Sequence, residues 1–200
     1  MSTKSKPSFS SGREMLITIV TCVLIVAVTV IILRIMGRPL ICTCGTIKLW
    51  HGEVISSENS QHISDWYSVT HFVHGILFYF LLWQISRTFP RLRGVPVRLV
   101  LAVAIESVWE VFENTDFIIN RYREATIALD YFGDSVINST ADILFMSLGF
   151  LIASRLPVII SASIAVTMEV LMLIMIRDNL ALNILMLIWP VEEIKNWQIG

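Results

Sequence analysis

The stretch that decides the fold runs from Glu106 to Asp142 and reads ESVWEVFENTDFIINRYREATIALDYFGDSVINSTAD. Two apolar segments meet in it, and their facing ends carry more ionisable and amide side chains than a lipid-embedded segment holds without partners. On a helix that turns about 100° per residue, Glu106, Glu110 and Glu113 fall within about 60° of one another, so three carboxyls line one face. The stretch therefore predicts a polar site between two membrane helices.

Composition places the whole chain in a membrane. Of its 200 residues, 55% are hydrophobic and only 16% are charged, and the mean hydropathy is +0.71. We therefore expect one integral membrane domain over residues 1–200. The formal net charge is −1 and no basic run is present, so the sequence gives no sign of a nucleic-acid partner. The apolar run from Met15 to Met36 is longer than a signal-peptide core and has no small-x-small cleavage site, which favours an uncleaved first span over a cleaved signal.

A bilayer core of about 30 Å requires about 20 helical residues, and this length sets the predicted spans. The predicted fold class is all-α, a polytopic transmembrane helix bundle with five spans, at 15–36, 67–86, 97–116, 136–155 and 157–176. The apolar piece at 180–189 is short, so we expect residues 177–200 to form an interfacial or re-entrant segment, with a tilted sixth span as the alternative.

The distribution of lysine and arginine sets the orientation. Eight of the 15 lie in the N-terminal tail, in the loop after the second span and in the turn after the fourth, which is a modest bias toward that side. By the positive-inside rule the N-terminus and a tail over residues 1–14 are cytoplasmic, and segments 37–66 and 117–135 lie outside.

This topology places several polar side chains at one level. At about 1.5 Å per residue, His74, Glu110 and Asp142 each lie about 10 Å inside the outer boundary. Asn138 shares the face of Asp142 by its spacing of four. Scattered polar residues would not share one depth, so we expect an outward-facing cavity.

The chemistry of these residues fits a catalytic or metal site. His71 and His74, three apart on a helix, present two imidazoles to one side, and imidazole with carboxylate suits a divalent metal such as Zn, Mn or Fe. We predict His71, His74 and Glu110 as metal ligands, and the catalytic candidates are Glu110, Glu113, His71, His74 and Asp142. The alternative is a hydrogen-bond network that only fixes the helix bundle.

Further residues are candidates for binding. Arg121, Arg123 and Arg177 lie at the outer boundary, where guanidinium groups can clamp a lipid phosphate or a carboxylate; the alternative is that they extend to headgroups or pair with neighbouring acids. The remaining binding candidates are Glu106, Asn114, Asp134 and Asn138. The motif YFGDS at 131–135 is typical of a turn and a helix cap.

Two other features leave alternatives open. Glu106 and Glu169 lie deep in their spans, where a carboxyl is either a proton-handling group or a hydrogen-bonded structural one. Cys42 and Cys44 lie outside, where disulfides form; a disulfide, free thiols and metal ligation with His51 or His62 are the alternatives.

Several motifs together resemble one known family. The segments CTCGTIKLWHGEV, HFVHG, ESVWEVFEN and YFGDSVINSTAD closely resemble an alphaproteobacterial membrane protein family catalogued as domain of unknown function 2585, also called uncharacterised protein family 0314. The resemblance implies a multi-pass protein of the bacterial inner membrane with no established activity. A looser likeness to VanZ-like membrane proteins, in the order of Asp65, His71, Glu110, Arg121, Asp134, Asn138 and Gly149, implies a site that meets lipid-like envelope molecules.

Three functions follow from these observations. The first is an enzyme acting on a lipid or lipid-linked headgroup, with a divalent metal as candidate cofactor and membrane lipids or an anionic small molecule as ligands. The second is proton- or cation-linked binding or transport, for which so short a chain would form a homo-oligomer. The third is a structural envelope component without catalysis.

Overall fold

The computed structural model describes residues 12–126 and 130–199. Within them the chain forms helices and no strand, so the prediction of an all-α chain is confirmed. The helices are α1 (Gly12–Ile35), α2 (Trp66–Thr88), α3 (Val95–Glu113), α4 (Asp116–Ala125), α5 (Val136–Arg155), α6 (Val158–Ile176), α7 (Leu180–Ile188) and α8 (Glu192–Ile199), with a 3₁₀ turn at Pro90–Leu92 between α2 and α3. Most of the predicted cytoplasmic tail lies outside the described residues.

Four of these helices, α1, α2, α5 and α6, are long and apolar enough to cross a membrane. Helix α3 occupies the position of the predicted third span, but Arg98 and three glutamates lie within its 19 residues, and its composition alone does not identify it as a span. The structure does not support the alternative of a tilted sixth span, because α7 has nine residues and a length of about 14 Å. The chain breaks after α7 and continues as the short helix α8.

The centre of the bundle is the contact between α2 and α5. These helices pack closely because a glycine of each lies against the backbone of the other. A Cβ atom on Gly75 would lie 2.0 Å from the carbonyl oxygen of Met146, and one on Gly149 would lie 2.1 Å from that of Phe72. Small residues at helix crossings allow this approach in membrane proteins. Helix α3 packs against α5 and α1, and α6 packs against α2.

Two helices form the periphery and expose apolar side chains. Among the described residues, α6 buries only Ser161 and Met172, and Ile174 is 72% exposed. On α1, Val23 is 60% exposed. Such continuous apolar faces are expected where helices meet lipid rather than water.

Segment 36–65 folds over the start of α2, the end of α3 and the start of α5. After the predicted topology we call these the outer ends of the three helices, their opposite ends the inner side, and segment 36–65 the outer segment. The backbone nitrogen of Val136, in the first turn of α5, donates to the carbonyl oxygen of Pro39 at 2.8 Å. The side-chain amide of Gln61 donates to the carbonyl oxygen of Gly133 at 2.7 Å. The segment therefore satisfies free backbone groups at the end of the bundle and covers the polar residues beneath it.

Candidate polar and metal site

The outer ends of α2, α3 and α5, together with the turn before α5, bring most of the predicted polar residues together. We call this set the polar cluster: His71, His74, Glu106, Glu110, Glu113, Asn114, Asp134, Asn138 and Asp142. Most of its members are buried, with Glu106 0%, Glu110 1% and Asp142 3% exposed. The convergence arises because α2 and α5 start, and α3 ends, on the same side of the bundle.

Glu106 orients both histidines of the polar cluster. Its Oε1 atom lies 2.5 Å from Nδ1 of His71 and 3.1 Å from Nδ1 of His74. With Nδ1 of His71 engaged, its other nitrogen, Nε2, lies 3.9 Å from Oδ2 of Asp142. A carboxylate that holds one imidazole nitrogen fixes the ring and leaves the other nitrogen for a metal, which is a common arrangement behind metal ligands.

His71, Glu110 and Asp142 form a group that can hold a cation. Their ligand atoms all lie within 4.8 Å of one another. Two carboxylate oxygens in this group, Oε1 of Glu110 and Oδ1 of Asp142, are buried without a hydrogen-bond partner. The members of the predicted trio of His71, His74 and Glu110 fall into two overlapping groups: His71 and His74 share one with Glu106, and His71 and Glu110 share the other with Asp142.

Negative side chains outnumber positive ones in the polar cluster. It contains five carboxyl groups and two imidazoles, and among the described residues none of the five carboxyls forms an ion pair with a lysine or an arginine. Buried carboxylates without counter-charge are strongly unfavourable in a low-dielectric environment. The arrangement therefore requires bound cations, bound protons or both.

The turn before α5 positions Asp134. Asn114 donates from Nδ2 to Oδ2 of Asp134 and accepts from its backbone nitrogen, both at 2.7 Å. Tyr131 donates its hydroxyl to Oδ1 at 2.9 Å. Burial raises the pKa of Asp134 to about 6, against the lowering effect of these hydrogen bonds. Gly133 permits the turn, since its φ is +95° and a Cβ there would lie 2.1 Å from Nη1 of Arg38.

The cap predicted at the start of α5 is present. Ser135 accepts at Oγ from the backbone nitrogen of Asn138 at 3.3 Å. The side chain of Asn138 is 1% exposed, and its Nδ2 is buried without an acceptor. Asn138 therefore offers a free donor beside the carboxylates.

A cavity opens beside the polar cluster. About 30 Å³ of it is free for the centres of water molecules, within a void of about 390 Å³ that includes open solvent. Its walls are formed by Asn59, Ser60, Tyr67, His71, Glu113, Tyr122, Tyr131, Asp134, Asp142 and Asn183. The space suits a few waters, ions or the small end of a larger molecule.

Several of these lining residues were not predicted as site residues. Tyr67 lies four residues before His71 on α2, so the i, i+4 rule places both on one face and would have found it. Asn59 and Ser60 belong to the outer segment, and Asn183 belongs to α7. No periodicity connects these residues to the polar cluster, because only the tertiary fold brings them there.

The three arginines predicted as an anion clamp contact backbone carbonyls instead. Arg121 donates from Nε to the carbonyl oxygen of Leu187 at 2.8 Å, at the end of α7. Arg177 donates to that of Trp197 at 3.0 Å, and Arg123 donates to that of Tyr131. None of the three is among the described residues that line the cavity. The contact of Arg121 ties α4 to α7, that of Arg177 ties the end of α6 to α8, and that of Arg123 ties α4 to the turn before α5.

Glu169 has a structural contact. Its two carboxylate oxygens accept from the backbone nitrogens of Leu180 at 3.2 Å and Ala181 at 3.1 Å. These are free N–H groups at the start of α7, where a carboxylate is favoured by the helix dipole. Of the two predicted alternatives, the structure shows the hydrogen-bonded one.

The outer segment carries a separate group of potential ligands. Cys42 and Cys44 are joined by a disulfide. Nearby, Glu58 lies 2.6 Å from Nζ of Lys48 and 2.9 Å from Nε2 of His62. Hydrogen bonds from Lys48 and His62 lower the pKa of Glu58 to about 2. Lys48 is therefore a counter-charge for Glu58, whereas the carboxyls of the polar cluster have no lysine or arginine partner among the described residues.

Comparison with known proteins places the chain among relatives without an assigned activity. Residues 33–200 match the model of a family described as Protein of unknown function (DUF2585). A UPF0314 protein of Sinorhizobium fredii is 53% identical over 94% of this chain and 93% of its own length. A UPF0314 protein of Paracoccus denitrificans is 56% identical over 81% of this chain and 82% of its own. No solved structure matches significantly.

Proposed function

We propose that this chain, which belongs to the DUF2585 family, is an inner-membrane protein that holds a divalent cation in an outward-facing cavity and acts on the headgroup of a lipid or lipid-linked envelope molecule. Helix α3 is the third span along the chain in this proposal and brings the total to five, because Arg98, Glu106 and Glu110 are buried in the bundle. The N-terminus is cytoplasmic, and segment 36–65 with α4, α7 and α8 lies on the outer side.

One observation carries the proposal, which is the excess of buried carboxylates around His71. Two unpartnered oxygens, on Glu110 and Asp142, lie in a group whose ligand atoms are within 4.8 Å of one another. A divalent cation would satisfy both oxygens and neutralise two charges in one step. A nitrogen and oxygen ligand set of this kind suits Zn²⁺, Mn²⁺ or Fe²⁺.

The cavity supports action on a ligand that arrives from outside. A cation bound by His71, Glu110 and Asp142 would polarise a carbonyl or phosphoryl oxygen, or lower the pKa of a bound water. Glu113 lines the cavity and is half-buried, so its carboxylate is placed to accept a proton from that water. Asn138 offers a free donor nearby.

The proposal is tested by the lipid composition of a bacterium that lacks the native chain. Strains carry the wild-type protein, Glu110→Gln or the matched control Glu124→Gln, which lies on the exposed surface of α4. Each protein is quantified in the membrane, and envelope lipids are profiled by mass spectrometry. We expect Glu110→Gln to reproduce the lipid profile of the deletion strain and Glu124→Gln to restore the wild-type profile.

An unchanged lipid profile in Glu110→Gln, at normal protein level, would contradict the enzymatic proposal. Proton- or cation-linked transport is then tested by uptake into liposomes with and without a pH gradient. The structural alternative predicts that Glu110→Gln lowers only the stability of the protein.

A further inference from the structure

Glu110 belongs to two groups of potential cation ligands at once. One is the group of His71, Glu110 and Asp142, and the other consists of Glu110, Glu113 and Asp134. In each, the ligand atoms lie within 4.8 Å of one another. A carboxylate has two oxygens, and each can bind a separate cation, as in the carboxylate-bridged centres of helical bundles.

We propose that the polar cluster holds a pair of divalent cations bridged by Glu110, with the second position formed by Glu110, Glu113 and Asp134. This inference rests on the proposed function, which requires only the first cation. The first group contributes a histidine nitrogen, whereas the second consists of carboxylate oxygens alone. An all-oxygen set selects a hard cation, Mg²⁺ or Mn²⁺.

An unpartnered oxygen points to a ligand at the shared residue. Oε1 of Glu110 is buried without a hydrogen-bond partner, and its residue is 1% exposed. It lies 3.4 Å from Nδ1 of His71, a nitrogen that already bonds to Glu106 at 2.5 Å. The neighbouring group in the first set, Oδ1 of Asp142, has no partner either. The unpartnered oxygen of Glu110 lies on the residue that the two ligand groups share.

The second position also has the supporting contacts of a prepared ligand. Asn114 and Tyr131 donate to the two oxygens of Asp134 at 2.7 and 2.9 Å, which fixes the orientation of the carboxylate. Hydrogen bonds behind a ligand are usual at metal centres. Each position contributes two residues to the cavity wall, His71 and Asp142 from the first and Glu113 and Asp134 from the second, whereas the shared Glu110 is not among the lining residues.

The cation pair defines a ligand class, which is a phosphate group. Among the described residues that line the cavity there is no lysine or arginine, so nothing else there attracts an anion. Two divalent cations about 3.5–4 Å apart bind two oxygens of one phosphate. The headgroup of the proposed substrate is therefore a phosphate ester, and the source of the phosphate is a membrane lipid or a free phosphate compound.

The number of cations is tested on the full chain in detergent after chelator treatment, titrated with Mn²⁺ and followed by equilibrium dialysis and electron paramagnetic resonance. We expect two Mn²⁺ per chain with a spin-coupled signal. Asp134→Asn and Glu113→Gln should each bind one Mn²⁺ without coupling, and Glu124→Gln should bind two. One Mn²⁺ in the wild type overturns the pair and leaves the proposed function standing. If the wild type binds no Mn²⁺, and no Zn²⁺ or Fe²⁺ when each is titrated in place of Mn²⁺, both the pair and the proposed function are overturned.

The phosphate is tested on the two-Mn²⁺ protein in nanodiscs. Inorganic phosphate and phosphatidic acid are added separately, with phosphate-free glycolipid as the control. A change of the coupled signal with phosphatidic acid alone assigns the site to a lipid headgroup, and a change with inorganic phosphate alone assigns it to a free phosphate. A signal that neither compound changes contradicts the phosphate assignment.

Discussion

The inner and outer parts of the same three helices differ in what they bury. Toward the inner side α2, α3 and α5 bury an apolar core of Leu82, Val95, Ala102, Val103, Ile143, Met146 and Phe150. Toward the outer side the same helices bury the polar cluster, in which carboxylates lack counter-charges. The apolar core fixes the helices. Burial of its side chains supplies the free energy that offsets the unfavourable burial of the polar cluster. Function is therefore expected at the outer end and stability at the inner end.

The largest expected effect follows from breaking the scaffold. Gly149→Leu would place side-chain atoms where the carbonyl oxygen of Phe72 lies, 2.1 Å from a Cβ. We expect a loss of more than about 3 kcal/mol of stability and no folded protein on size-exclusion chromatography, because backbone must move. In the control Gly94→Ala, the nearest atoms to the new Cβ lie at 3.8 Å. We expect this variant to melt like the wild type. A well-folded Gly149→Leu would show that the α2–α5 contact is not the scaffold.

Removing a proposed ligand should separate metal binding from stability. Asp142→Asn deletes one ligand of the first cation, so we expect metal affinity to fall on the order of 100-fold or more, measured by competition with a chromogenic chelator. The metal-free variant should melt at the same temperature as the metal-free wild type or higher, because an uncompensated buried carboxylate is removed. A metal-free variant that melts much lower would favour a structural network instead.

Glu106→Gln tests the orienting contact. The amide has no negative charge and replaces Oε2, which lies 3.2 Å from Nδ1 of His74, by an NH₂ donor. It therefore holds the imidazoles less strongly, and we expect a 10- to 100-fold loss of metal affinity, the effect usual for groups behind a ligand. The same chelator competition measures it, with Glu124→Gln as the control. Unchanged affinity would mean that Glu106 does not position the imidazole of His71.

Asp178 gives the polar region a pH dependence that is separate from the polar cluster. Burial raises its pKa to about 6, against hydrogen bonds from Tyr67, Asn179 and Gln198. Its contribution to stability is therefore full below its unfolded pKa of about 4 and is lost as the pH rises through about 6.

We expect the free energy of unfolding of Asp178→Asn to fall less than that of the wild type between pH 4 and pH 7, by on the order of 2 to 3 kcal/mol. Melting curves across this pH range measure the difference. Comparing the slopes with pH, rather than absolute stabilities, removes the effect of the hydrogen bond that asparagine loses. Equal slopes would show that Asp178 does not titrate in this range.

The smallest effect is expected outside both regions. The disulfide between Cys42 and Cys44 closes a loop with a sequence separation of 2. The entropy lost by so short a loop is small, so Cys42→Ser with Cys44→Ser should lower stability by about 1 to 2 kcal/mol at most. Metal content should not change, because the polar cluster does not include this segment. Loss of metal in this double variant would assign the metal to the outer segment.

The sequence was sufficient for the helices and for most of the polar cluster. Each of the five long helices begins and ends within three residues of its predicted bounds, because apolar run length and caps such as Ser135 are local signals. The shared level of His74, Glu110 and Asp142 was predicted from the rise per residue and the topology. The crossing of α2 and α5 brings their two helices together, and Glu110 approaches because α3 packs against α5.

What the sequence could not supply was the partner of each side chain. His74 faces Glu106 rather than Glu110, and the carboxylate of Glu169 caps α7. These pairings depend on helix rotation and on the return of α7 to the bundle, which hydrophobic periodicity does not specify. Arg121 shows the same limit. Its charge led to the prediction of a bound anion, whereas in the structure it donates to the carbonyl oxygen of Leu187.

The most direct test of the account is elemental analysis of the detergent-purified protein beside the double variant His71→Ala, His74→Ala, with folding checked in both. The account predicts at least one divalent metal per chain in the wild type and none in the folded variant. Metal-free wild-type protein, purified without chelator and after exposure to Zn²⁺, Mn²⁺ and Fe²⁺, would contradict it, and the carboxylates of the polar cluster would then be held by protons alone.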